Sequence, residues 1–173
     1  MWSYQPLVLG FVLDLDLQNL ISVKSKVIEC VRRLESDDRG YVFHPSNLEI
    51  LRHSGPVVAS ISNYKHPDDF NLEFAIKQTV ILVETQDAET KKYIFVILDK
   101  YEDTQEYGVK KAMGCKSDCK FIFFGIGKRF SPSLSSVVKF HPRCQFIACD
   151  INLLVENIVG IAEIQKVEKL WKK

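Results

Sequence analysis

The sequence has no long apolar run. Nothing in its 173 residues approaches the roughly 18 consecutive apolar residues of a membrane-spanning helix. It has no excess of either charge: 23 Lys and Arg stand against 22 Asp and Glu, for a formal net charge of +1. A broad electrostatic surface for nucleic acid is therefore not expected. No basic segment leads into an apolar signal core at the start, so no secretory leader is expected. There is no internal repeat, no low-complexity segment and no sign of a second domain, and one domain over residues 1–173 is the expectation. Gly125-x-Gly127 lacks the third glycine of a dinucleotide fingerprint. His44, His53, His66 and His141 are scattered through loops, and no Ser, His and Asp set is spaced for nucleophilic catalysis.

Cysteine is sparse and odd in number: Cys30, Cys115, Cys119, Cys144 and Cys149. With no secretion signal this implies reduced thiols in a cytoplasmic or otherwise intracellular protein. Cys115-x3-Cys119 with His141-x2-Cys144 matches zinc-ligand spacing only loosely, and packed core thiols are the better reading. Lys166, Lys169, Lys172 and Lys173 read as a solvated face of the last helix, with Trp171 packed on the body.

What is present is a globular composition, 46% hydrophobic and 26% charged, organised around one stretch. Pro6 to Gln18 is an apolar, partly β-branched run that stops at acid, with Asp14 and Asp16 at its end. Such a run is a buried strand. In open α/β sheets ligands bind outside the carboxyl ends of strands, so these two carboxylates mark a candidate site. They repel one another unless a cation, a proton or water relieves them.

The rest of the chain alternates. Apolar residues at 20, 23, 27, 30, 31 and 34 predict a helix. Tyr41-Val42-Phe43 predicts a short strand, Pro45 to Gly55 an irregular segment, and Pro56 to Ile61 a second short strand. The polar loop Ser62–Asn71 leads into a helix over Leu72–Glu84, with Asp68 and Asp69 near its positive end. Lys91–Asp99 is another strand ending in acid. A helix from Thr104 to Met113, a strand over Phe121–Gly127, a short helix over Pro132–Phe140, a strand over Cys144–Asp150 and a helix over Ile151–Leu170 follow. The pattern calls for a three-layer, Rossmann-like α/β fold: an open, mostly parallel sheet with helices on both faces. The strand at Leu7–Leu13, apolar on both sides, is expected in the sheet interior, flanked by those at Ile94–Leu98 and Phe121–Ile126.

In this order of elements the whole chain resembles a von Willebrand factor A-type domain. That family's first strand ends Asp-x-Ser-x-Ser, and here the place reads Asp14-Leu15-Asp16-Leu17-Gln18. Its second element, a Thr before the long middle helix, falls at Phe70. Its third, an Asp after the fourth strand, is matched by Ile97-Leu98-Asp99, and Phe123-Phe124-Gly125-Ile126-Gly127 resembles its next strand. The resemblance implies a protein-interaction module with a degenerate metal-ion-dependent adhesion site. A divalent cation, Mg2+ in the family, would be held by Asp14, Asp16, Gln18 and Asp99, with Asp69 or Asn71 as substitutes from the Phe70 loop. An acidic side chain of a partner protein would complete the site. The expected contact surface is the top of the sheet, with Asn19, Asp68, Asp69, Phe70, Lys100 and Tyr101.

Val12-Leu13-Asp14-Leu15-Asp16 also resembles the first motif of haloacid-dehalogenase-type phosphatases. That resemblance implies Asp14 as a magnesium-assisted nucleophile, Lys77 or Lys110 as the lysine, and Asp99 with Glu102 or Asp103 as the acidic pair. Gln18 departs from that motif, and the Ser/Thr after strand two has no counterpart. A metal-free structural subunit is the third reading.

Overall fold

The computed structural model describes residues 6–33, 38–43, 54–86, 90–101, 103–114, 118–130 and 143–167. Among them five strands form one parallel sheet: β1 (Leu7–Asp14), β2 (Arg39–Val42), β3 (Lys91–Tyr101), β4 (Lys120–Phe130) and β5 (Cys144–Cys149), in the spatial order β2-β1-β3-β4-β5. Among the described residues five α-helices accompany them: α1 (Leu17–Arg32), α2 (Ser54–Asn63), α3 (Leu72–Glu84), α4 (Glu106–Met113) and α5 (Leu154–Val167).

The strand period divides the core in two. On one face Leu7, Leu9, Phe11 and Leu13 of β1 join Tyr93, Phe95 and Ile97 of β3 under α1, α2 and α5. On the other, Val8 and Val12 join Ile94, Val96 and Leu98 under α3 and α4. Every residue of β1 is buried, which is why the strand reads as an unbroken apolar run rather than an alternating one. Along α1 the buried residues Leu20, Val23, Val27, Cys30 and Val31 form the stripe that faces the sheet.

Two expectations are corrected. The run Pro56 to Ile61 is not a strand but lies within α2. Pro56 falls in the first helical turn, where its missing N–H costs nothing. Val58 and Ile61, three residues apart, turn toward the α1 side of the core. A short apolar run cannot by itself tell the two periods apart. The flanking of β1 also differs. β1 is interior and pairs with β3, but its other neighbour is the short β2, and β4 lies beyond β3. The expected helix at 132–140 lies outside the described residues.

Phe95 has no exposed surface and stacks against Phe11, Tyr93 and Phe124 at centroid distances of 5.6, 6.1 and 5.9 Å. Phe95→Ala is expected to lower stability by about 3–5 kcal/mol in urea denaturation. A loss under about 1 kcal/mol would show that this ring cluster is not the centre of the core.

Candidate functional site

The parallel register brings the ends of β1 and β3 together, Asp14 pairing with Leu98, one residue before Asp99. Both carboxylates are buried, each at 4% exposure. Opposite Asp99 the β3–β4 ladder is irregular: Leu98 pairs with Gly125 but Lys100 with Arg129. Gly127 lies in that irregular stretch at φ 87°, a conformation that a side chain would strain. The break falls at Asp99, and the pairing resumes at Lys100 and Tyr101.

Asp99 is held from the β1–α1 turn. Its Oδ2 accepts the backbone N–H of Asp16 at 2.8 Å and the Nδ2–H of Asn19 at 2.9 Å. Its Oδ1 is buried and has no hydrogen-bond partner among the described residues. Asp16 is half-exposed at the start of α1, and its Oδ1 meets the Lys100 ammonium at 3.3 Å. That hydrogen bond, with the charges of Asp16, Asp14 and Asp99, raises the Lys100 pKa.

Asp14 is approached from the loop after α2. Tyr64 anchors the loop by donating its buried hydroxyl to Leu13 O at 2.9 Å. Lys24 of α1 donates to Ser62 O and Tyr64 O at 2.8 and 2.9 Å. These ties place His66 Nε2 at 2.9 Å from Asp14 Oδ1, with the imidazole stacked on Phe70 at 4.7 Å. Phe70 in turn packs edge-on against Phe43. Burial dominates at Asp14 and holds its carboxyl above the ordinary 3.8; the His66 hydrogen bond and charge and the Lys100 charge oppose this, while Asp99 adds to it.

No family model matches the chain, and no curated protein matches it in sequence. Its fold is nevertheless known. It is similar to a von Willebrand factor type A protein from Catenulispora acidiphila, with a TM-score of 0.68 and 11% identity over 91% of this chain. It is similar to the SpRpn10 VWA domain, with a TM-score of 0.63 and 7% identity over 89% of this chain and 94% of that one. The chain has a von Willebrand A-type fold. A third similar structure is the mussel-byssus proximal thread matrix protein 1 with a zinc-occupied MIDAS motif, at a TM-score of 0.61 and 10% identity over 92% of this chain. The chain spans 42% of the Catenulispora protein and 47% of the mussel protein.

Within this von Willebrand A-type fold the expected site residues disperse. Asp14 and Asp99 stand side by side, but Gln18 is exposed on the first turn of α1. Asp68 and Asp69 are exposed in a turn closed by the Phe70 N–H to Pro67 O bond. Asn71 is the α3 N-cap, its Oδ1 accepting the Phe74 N–H at 2.9 Å. Phe70, at the place of the family's Thr, offers no donor atom. Among the described residues no three His, Cys, Asp or Glu side chains stand close enough to share a metal ion. A divalent cation needs several convergent oxygens, and among the described residues Asp14 and Asp99 bring only two carboxylates together, each already hydrogen-bonded through one oxygen. As arranged, the donor set does not fit such an ion.

Of the expected contact residues, Asn19 is spent on Asp99, and Lys100 is exposed beside Asp16. Tyr101 is corrected: it is 3% exposed and packs in the core under α3 and α4, because the strand continues through it. Lys77 is exposed on α3, and Lys110 pairs with Glu106 within α4. Glu102, Cys115 and His141 lie outside the described residues. Cys30, Cys119, Cys144 and Cys149 form no disulfide among the described residues. Burial pushes Cys30 and Cys144 up to about 12, as core thiols require. The residue that the sequence reading passed over is His66. Its one signal is its place beside Pro67 in the loop that leads into α3.

Because its pKa is raised, native Asp14 keeps its proton at pH values where the unfolded chain has lost it. Its contribution to stability is full below the ordinary 3.8 and is lost as pH rises through the higher native value. Asp14→Asn is expected to remove that decline and to equal or exceed the wild type in stability at pH 7, read by urea denaturation across the acid range. A variant weaker at pH 7 by more than about 1 kcal/mol would show that the His66 contact outweighs burial.

Proposed function

We propose that the domain is a protein-interaction module whose contact face is the edge of the sheet formed by the turns after β1, before α3 and after β3. We further propose that its acidic cluster works without a divalent cation. One observation carries this reading: side chains of the protein already sit against the carboxylates, the His66 imidazole on Asp14 and the Lys100 ammonium on Asp16. The mussel protein, with zinc in its MIDAS motif, indicates that the fold accommodates a cation at such a site. Here the ammonium of Lys100, half-exposed at the same edge, takes the role of receiving a partner's acidic group. A charged amine can do this through direct, charge-assisted hydrogen bonds. The phosphatase reading has less support. An aspartate that is buried, hydrogen-bonded to His66 and raised in pKa is a poor nucleophile.

Two measurements test the proposal. Thermal melts of metal-stripped protein are expected to coincide in chelator, Mg2+ and Mn2+. A rise with metal that Asp99→Asn abolishes would restore the metal-dependent site. Affinity capture from a lysate of the source organism, with chelator present, is expected to retain at least one protein on the wild type and lose it on Asp68→Arg/Lys100→Glu. Identical capture by both chains would remove this edge as the contact face.

A further inference from the structure

Beside the acidic cluster, between the start of α1 and the loop after α2, lies a groove of about 460 Å³. One wall is apolar and open to water: Leu17 is 73% and Ile21 64% exposed. The two are one helical turn apart and lie off the stripe with which α1 covers the sheet. They add nothing to the core. Large apolar side chains that line a concavity mark a binding surface rather than a packing need.

Three lysines also line the groove. Lys24, Lys65, Lys100 and the His66 imidazole face the groove with the carboxylate of Asp16; Lys100 meets Asp16 and feels Asp14 and Asp99, and His66 lies on Asp14, so Lys24 and Lys65 are the cations set apart from the acidic cluster. The Lys24 bonds described above run to backbone carbonyls, which orient the ammonium without cancelling its charge. Lys65 is exposed. A second copy of the chain does not suit this surface, since a two-fold contact would set the same lysines face to face.

We propose that this groove docks an acidic, apolar-anchored segment of a partner protein. Leu, Ile or Phe anchors of that segment sit against Leu17 and Ile21, and flanking Asp or Glu residues meet Lys65 and Lys100. The proposal rests on the interaction-module reading and names the partner's chemistry. Buried apolar anchors supply most of such an affinity, and the charged rim supplies selection and encounter rate.

The test is to pan a phage-displayed library of random peptides on the immobilised full chain, then to measure synthetic versions of the selected peptides by fluorescence anisotropy. The expected peptides combine Leu, Ile or Phe with Asp or Glu. Ile21→Glu should weaken them at least about tenfold, and Lys65→Glu should weaken them and reduce their salt sensitivity. Both positions are exposed, so circular dichroism should be unchanged. Selection of no peptide that depends on Ile21 overturns the proposal. Peptides that depend on Asp68 but not on Ile21 overturn it while leaving the interaction-module reading intact. Self-association of the free chain that Ile21→Glu abolishes gives the groove to a second copy and likewise overturns it.

Discussion

Two carboxylates buried at the ends of neighbouring parallel strands constrain everything around them. A buried anion without partners is strongly disfavoured, and two of them side by side are more so. The protein meets this with groups from three separate segments. The turn into α1 gives Asp99 two N–H donors, and hydrogen bonds to a charged acceptor contribute about 1.5–3 kcal/mol each. The loop after α2 gives Asp14 an imidazole, and the end of β3 returns an ammonium to Asp16. These bonds join β1, β3, α1 and the α2–α3 loop at one edge, so the arrangement that relieves the charges also sets the shape of the surface.

The legible parts of the fold were those where one physical signal dominated. β1, β3 and β4 are buried on both faces by helices, and their apolar runs have no competing reading. α1 and α3 carry an unambiguous helical stripe. The Pro56–Ile61 run failed because six residues with β-branched members suit either period, and the decision came from its packing against the α1 side of the core. The order of strands was partly hidden as well, since apolar character says that a strand is interior but not which neighbours it takes.

The site was legible as a pair of acidic strand ends and no further. Asp14 and Asp99 come together because β1 and β3 run parallel, with Asp14 opposite Leu98. What surrounds them could not be read locally. His66 reaches Asp14 across 52 residues and Asn19 reaches Asp99 across 80. Contacts of that range depend on how Tyr64 and Lys24 seat a loop, not on any spacing in the sequence. Tyr101 was misplaced for a simpler reason: the charged residues before it suggested a loop, whereas the strand runs on and buries it.

The von Willebrand A-type fold thus carries, at the edge where the family's resemblance implies a metal, a set of side chains that bond to one another: His66 to Asp14, Asn19 to Asp99 and Lys100 to Asp16. The account stands on the His66–Asp14 contact remaining in place whether or not metal is offered. The nuclear magnetic resonance signals of the His66 ring nitrogens, recorded in chelator and again after excess Mg2+, read that contact directly. Unchanged ring signals, with the hydrogen bond to Asp14 retained, are the predicted result. A Mg2+-dependent shift that marks release of His66 from Asp14 would contradict it.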